Sequence, residues 1–364
     1  MRKYKPVRLG TATFTKGAVM IHFFDTDPRK DSPDYRESHG SFGELILNYN
    51  DELKKLGYYS ELDKCEYVGR CGSLDPNFVF DGKKTFYINV WETANALPWY
   101  LVNNAKAANQ RIFGLSEQIT KLWRKYGFEC ETIYGGCNTD FWKPTIPKSK
   151  DKFVFLHVNH ANVRSGLDLT LQAFSRAFRG NDDVVLIVKD SSYDAKLGSV
   201  ISKLNDTGLN IEYVPKMMSS PELRDLYSSS HVCLNVIRCT SFGLPLLESS
   251  ACGCLCVTGD VEPTNEIITP DFGVLIPSNG LLSIPVTAPQ LEKNYGLKNY
   301  YGNFDYSEEP MFYDFDIDVY AKKLQDIYLS YSSVYAKIDT RTPIIERWGW
   351  DKPIKKLVNI LSNE

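Results

Sequence analysis

What this 364-residue chain lacks narrows it first. No apolar run approaches 18 residues, so a membrane-spanning helix is not expected. No cationic start leads into an apolar core, so a secretory leader is not expected either, and a cytoplasmic location is. Neither sign of charge is in excess: Lys and Arg total 42 against 45 Asp and Glu, a formal net charge of −3. Without a global basic field the chain does not advertise nucleic acid or an anionic membrane as partners, although a local basic cleft stays open. The nine cysteines follow no framework spacing, as expected of reduced thiols. Cys252, Cys254 and Cys256 invite a metal, but alternation on one buried strand accounts for them more cheaply, and no metal is assigned. Internal repeats and low-complexity tracts are absent too.

What is present is enough apolar residue for two domains, 43% of the chain, each with its own core. The most informative stretch runs from Thr240 to Asp260. Ser241-Phe242-Gly243-Leu244-Pro245 sets a glycine and a proline ahead of an apolar run, the punctuation of a helix that starts near Leu244 and ends by Gly253. Cys254 to Thr258 then reads as a short buried strand. The helix start offers unpartnered N–H groups and a partial positive charge, which suit a phosphate or diphosphate at Gly243 and Leu244. Glu248, one turn inside, is placed to accept the hydroxyls of a ribose, or is an ordinary solvated acid.

In chain order, residues 7–13 and 18–24 read as strands, and Asp25 to Ser38 as a polar loop. Asp25-Thr26-Asp27 has the form of a metal-binding Asp-x-Asp, yet comes too early for it, and a polar turn is the better reading. Gly40-Ser41-Phe42-Gly43 forms a glycine-rich turn before a helix from Glu44 to Leu56, a place where an anionic ligand can approach. Phe86 to Val90 is an inner strand that delivers Glu92 at its carboxyl end. A helix follows from Glu117 to Tyr126, and Lys143 to Lys152, with two prolines, reads as a linker.

A second α/β unit opens with the strand Phe153–Val158. It continues through Arg164-Ser165-Gly166, a helix with Leu167, Leu169, Leu171, Ala173 and Phe174 on one face, and a strand from Val184 that ends at Lys189-Asp190. Arg164 and Lys189 are cations near strand ends, and a surface salt bridge is the plain local reading of each. Lys216 opens a loop before a Ser-capped, Pro-started helix at Pro221, and Arg238 follows the strand Val232–Val236 closely. Glu266 suits a helix start. Residues 281–314 read as an insertion rich in Tyr and Asn with few periodic apolar positions, fitting either a carbohydrate face or plain packing. Ile317–Ile338 reads as an amphipathic helix, and Pro353–Leu361 as the closing one.

Taken together, FGLPLLES-A-CG and the connection Thr132 to Pro144, with its Gly135, Asp140, Phe141 and Pro144, resemble the retaining glycosyltransferases of GT-B architecture, the glycosyltransferase family 4-like group. The resemblance implies an α/β fold of two Rossmann-like domains facing across a cleft: 1–146 on the acceptor side, 147–340 on the donor side, and 341–364 crossing back as a helix. It implies transfer of a sugar from a nucleotide sugar, UDP- or GDP-linked, to an acceptor such as a glycan, with retention and without a required cofactor. A nucleotide-sugar hydrolase or epimerase, or a binding protein with a degraded site, remains an alternative; a modified DNA base is an unfavoured acceptor. Catalytic roles fall by resemblance on Lys189, Arg164, Glu92 and Thr240, and donor binding on Glu248, Gly243, Leu244, Gly43, Arg238 and Lys216. Three departures matter. Thr240 stands where the family carries its first Glu, and Ser165 where Lys is usual, while Asn159 replaces a frequent Arg.

Overall fold

The computed structural model describes residues 19–24, 41–72, 77–108, 110–191, 193–300 and 304–363. The expected strand at 7–13, the loop from Asp25 to Ser38 with its Asp25-Thr26-Asp27, and Gly40 lie outside the described residues.

Two parallel sheets organise the chain. Among the described residues the first holds five strands in chain order, β1 (Ile21–Phe23), β2 (Tyr67–Gly72), β3 (Lys84–Asn89), β4 (Arg111–Gly114) and β5 (Cys130–Thr132). Its inner strands are short apolar runs buried on both faces, as parallel strands covered by helices must be. Helix α1 (Ser41–Leu56) packs on it through Leu45, Ile46, Tyr49 and Leu53, all buried and spaced at helical period. The helix starts three residues earlier than the glycine pattern predicts, so Gly43 sits in its first turn rather than in a loop ahead of it. Helices α2 (Trp99–Ala108) and α3 (Glu117–Lys125) complete this half.

The second sheet has seven strands, drawn from β6 (Phe153–Val158), β7 (Val184–Asp190), β8 (Ile211–Pro215), β9 (Val232–Asn235), β10 (Leu255–Asp260), β11 (Val274–Ser283) and β12 (Met311–Phe315). Their spatial order is β12-β11-β10-β9-β6-β7-β8, and only the β11–β12 pair is antiparallel. From β6 the chain winds outward through β7 and β8, then returns to the other side of β6 with β9. Between β6 and β9 the direction of winding reverses, and in open α/β sheets the crevice at the carboxyl ends of such a pair is where ligands bind. Helices α4 (Leu167–Phe178), α5 (Ala195–Asn205), α6 (Ser220–Ser229) and α7 (Leu244–Ala251) link these strands, and α6 opens with the expected cap, Ser219 and Glu222 closing a reciprocal capping box.

Three expectations change. Residues 281–314 are not an irregular insertion: a short helix α8 (Thr264–Ile267) precedes β11, and α9 (Ile284–Tyr295) fills the segment before β12. Ile284, Ala288 and Leu291 are buried at helical spacing, a period masked in the sequence by Pro285 and Pro289. Helix α10 (Ile317–Ser330) stops well short of Ile338, with a 3-10 turn at Tyr335–Lys337 beyond it. The three clustered cysteines do not share a strand, since Cys252 caps α7, Cys254 lies before β10 and only Cys256 lies within it; all three are buried.

Two segments carry the second half back to the first. After α11 (Thr342–Trp348), Trp350 sets its edge against Tyr49 with ring centroids 5.0 Å apart, and α12 (Asp351–Ser362) accepts a hydrogen bond from Tyr67 Oη at the Leu361 carbonyl, 3.1 Å. The stretch before β12 does the same on another edge. Trp99 N donates to the Asp305 carbonyl at 2.7 Å, Ala94 N to the Met311 carbonyl at 2.9 Å, and Met311 N to Asn95 Oδ1 at 2.8 Å.

Candidate active site at the sheet reversal

A pocket of about 300 Å³ lies at the carboxyl ends of β6 and β9, where the winding reverses. Asn159, His160 and Arg164 come from the β6 exit, and Thr240, Ser241 and Gly243 to Pro245 from the β9 exit. Leu45, Val90, Glu92 and Leu115 reach in from the first half. The site is therefore shared by both sheets.

The β9 exit works as the glycine–proline punctuation predicts. Gly243, at φ 121°, precedes α7, a backbone region that favours glycine, and a β-carbon there would lie 3.2 Å from Leu246 Cδ1. No side chain caps the helix, and Pro245 in the first turn gives no N–H, so the positive end of the helix faces the pocket through Gly243 and Leu244. Thr240 lines the same wall with a neutral hydroxyl.

The β6 exit is stiffened by Asn162, whose Oδ1 accepts from the N–H groups of Arg164 and Ser165, both at 3.1 Å. The Ser165 hydroxyl donates to the Asn162 carbonyl at 2.7 Å and is fully buried, so the residue that replaces the family's Lys closes the turn. Gly166 caps α4 with φ 68°, and a β-carbon there would fall 2.0 Å from the Val236 carbonyl oxygen. That close approach brings the β6 and β9 loops together, and Arg238 N donates to the Arg164 carbonyl at 2.9 Å.

The two arginines then part. Arg164 Nε meets Glu92 Oε2 at 2.6 Å across the cleft, with side chains 13% and 23% exposed. Arg238 turns inward instead: Nη1 and Nη2 bind Asp168 Oδ1 and Oδ2 at 2.5 and 2.7 Å, with side chains 3% and 2% exposed. The structure thus brings Arg164 and Glu92 to the pocket and keeps the Arg238 guanidinium out of it.

Lys189, at the end of β7, is 8% exposed, and among the described residues its ammonium has no hydrogen-bond or ion-pair partner. Burial pushes its pKa down, opposed by the charges of Asp190 and Glu248. Glu248, on α7, accepts from Tyr227 Oη at 3.4 Å and is also buried. Lys189 and Glu248 feel each other's charge beside the pocket but do not line it. Lys216 is exposed on the β8–α6 loop and pairs with Glu222 at 2.9 Å, away from the lining. Gly43 lies in the first turn of α1, two residues before the lining Leu45. Glu266 instead bridges the halves by accepting from Tyr134 Oη at 2.7 Å.

Sequence reasoning weighed Asn159 and passed over its neighbour His160. The available signal was its position, two residues beyond a buried strand at the point of reversal. Larger hollows lie at the hinge. One of about 500 Å³ presents Asp51, Glu52, Asp140 and Asp351 against a single Lys55, a charge balance wrong for a diphosphate. Another, of about 340 Å³, lies between Tyr134, Trp348 and the last helix and has Glu266 in its wall.

Residues 138–294 match the family described as glycosyl transferases group 1. No curated protein sequence matches the chain. Among solved structures, the fold is similar to sucrose-phosphate synthase from Thermosynechococcus elongatus, at 13% identity and TM-score 0.59 over 88% of this chain and 78% of that one. It is similar as well to WaaG, a glycosyltransferase involved in lipopolysaccharide biosynthesis, at 12% identity and TM-score 0.56 over 90% and 85%. HepE from Anabaena, in complex with UDP and glucose, aligns at 10% identity and TM-score 0.56 over 89% and 84%. These likenesses give the fold as GT-B, two Rossmann-like halves across a cleft.

Proposed function

We propose that this chain, whose residues 138–294 match the glycosyl transferases group 1 model and whose fold is GT-B, is a glycosyltransferase that moves a sugar, with retention, from a UDP- or GDP-sugar to a glycan acceptor. The observation that carries this reading is the pocket at the sheet reversal, where the start of α7 and Arg164 on one wall meet Glu92 on the other. Solved relatives of the fold hold UDP with glucose or with GlcNAc.

In this reading the diphosphate lies against Gly243 and Leu244, with Arg164 and Lys189 as the nearby cations. As the bond between the anomeric carbon and the phosphate oxygen breaks, negative charge grows on the departing diphosphate. Preorganised donors and cations stabilise that charge more than the ground state, which is where rate acceleration comes from. The acceptor hydroxyl forms the new bond to the same carbon, and its proton leaves on the departing phosphate. Glu248 holds the ribose, and Lys216 borders the nucleobase loop.

The test is thermal unfolding with UDP-, GDP-, ADP- and CMP-sugars. A ligand at a hundredfold excess over its dissociation constant stabilises the folded chain by about 2.7 kcal/mol. Stabilisation by a UDP- or GDP-sugar, with nucleoside diphosphate released only when acceptor is added, is expected. No response to any of the four overturns the reading, and equal release without acceptor turns it toward a hydrolase. A nucleotide-sugar binder without turnover is the second reading, favoured by the neutral Thr240 and the structural Ser165; transfer to any acceptor excludes it.

A further inference from the structure

The charge of the pocket lining is small for an anionic ligand. Among the described lining side chains only Arg164 and His160 are basic, and Arg164 is already matched by Glu92 at 2.6 Å. A nucleoside diphosphate brings at least two negative charges. The positive end of α7 offsets part of this, but an additional cation in the wall is wanted.

His160 is the side chain placed to supply it. It stands on the β6 exit, exposed in the pocket wall, and its Nδ1 is held by Ser191 Oγ at 2.5 Å. Ser191 is fixed in turn, since its N–H donates to Asp190 Oδ1 at 2.7 Å, and Ala161 N donates to the same oxygen at 3.2 Å. Asp190 therefore ties the β7 exit to the β6 exit and orients the imidazole between them. Nε2 has no hydrogen-bond partner among the described residues.

We infer that His160 is a ligand of the donor diphosphate that binds as imidazolium, taking up a proton as the nucleotide enters and returning it when the nucleotide leaves. The inference rests on the reading of the pocket as a nucleotide-sugar site. Charged groups meet His160 from every element around it. Lys189 and Asp190 face it from the end of β7, Arg164 from the start of α4, and Glu92 from beyond β3. Lys298 joins the same loop through its backbone, exchanging hydrogen bonds with Val163 N and the Ala161 carbonyl. In the free protein the pKa of His160 is lowered, first by desolvation; Asp190 and Glu92 oppose this, while Arg164 and Lys189 reinforce it. The neutral ring is thereby favoured in the free protein. A diphosphate beside it favours the charged form and raises the pKa. The sign follows: nucleotide binding strengthens as pH falls, through the window between the raised pKa of the complex and the lowered pKa of the free protein.

The experiment is titration calorimetry of the full chain with UDP, repeated with GDP, at pH 6, 7 and 8 in buffers of different ionisation enthalpy. Wild type is compared with His160→Gln and His160→Lys, and the comparison cancels the nucleotide's own protonation. Loss of a charge-assisted hydrogen bond predicts that His160→Gln binds about tenfold more weakly at pH 6 and within about twofold at pH 8. At pH 7 wild type should take up more protons than His160→Gln. His160→Lys, with a fixed charge, should keep its affinity at pH 8 without that extra uptake. Equal proton uptake by wild type and His160→Gln, with an affinity ratio that does not vary with pH, overturns the inference while leaving the site intact. Failure of wild type to bind either nucleotide overturns the reading of the pocket and the inference with it.

Discussion

Two arginine–carboxylate pairs lie side by side where the second sheet reverses, and they differ in what surrounds them. Arg238 and Asp168 are buried inside one half and bidentate; Arg164 and Glu92 span both halves in the wall of a pocket. Each pairs a guanidinium with a carboxylate, and the backbones that carry the arginines are hydrogen-bonded to each other. What separates structure from function here is access. A sealed pair holds the β9 exit onto α4, and a pair open to a ligand can exchange its partner for a phosphate.

The sharpest break of this comparison is to cut the sealed pair. Arg238→Ala strands the Asp168 carboxylate in the core, and leaving one buried charge without its partner costs about 3–5 kcal/mol. Urea unfolding should show that loss, and a change below about 1 kcal/mol would mean that water enters the site and that the two pairs are not different in kind.

Cutting the open pair should do the reverse. Arg164→Ala should leave stability nearly intact and lower turnover by about 10²–10³, the scale of removing one preorganised transition-state donor. Its effect belongs in the rate more than in the donor constant, because the charge it stabilises grows as the diphosphate departs. Steady-state kinetics with near-normal turnover would assign that work to Lys189 and the start of α7.

Smaller again is the change expected at the edge of the site. Glu248 is buried, accepts a long hydrogen bond from Tyr227 and lies outside the pocket lining. If it holds the ribose, Glu248→Ala should weaken nucleoside diphosphate binding by about 1.5–3 kcal/mol, as for hydrogen bonds to a charged group. Calorimetry showing unchanged affinity in a folded variant would remove Glu248 from the site and leave the pocket to the open pair and its neighbours.

Much of the fold was legible because its signals are local. Phe153–Val158 reads as a parallel strand from its unbroken apolar run, α7 starts where Gly243 and Pro245 place it, and α6 begins at the Ser219–Glu222 box. The period of α9 was hidden by its two prolines, since a composition of turn formers outweighed three buried positions. The start of α1 was misread for a related reason, because a glycine in a first helical turn looks like a glycine before it. Of the pocket lining, Gly243 and Leu244 could be named from punctuation and Arg164 and Glu92 from strand ends, while Thr240 was reached through the family resemblance alone. The inward turn of Arg238 could not, because its partner lies 70 residues away in sequence. His160 went unweighed although it follows a buried strand by two residues, because the reversal that makes this position matter is set between strands far apart in sequence.

The sequence by itself determined the elements, their order and the family pattern at Thr240 to Asp260, because helical and strand periods, caps and turns are written in neighbouring residues. Only the tertiary structure decided which carboxylate each arginine meets, that Ser165 closes a turn, and that the segment before β12 binds the first half. These are choices between partners far apart in the chain, made by burial and by the reversal between β6 and β9, which brings the loops of two distant strands to one crevice.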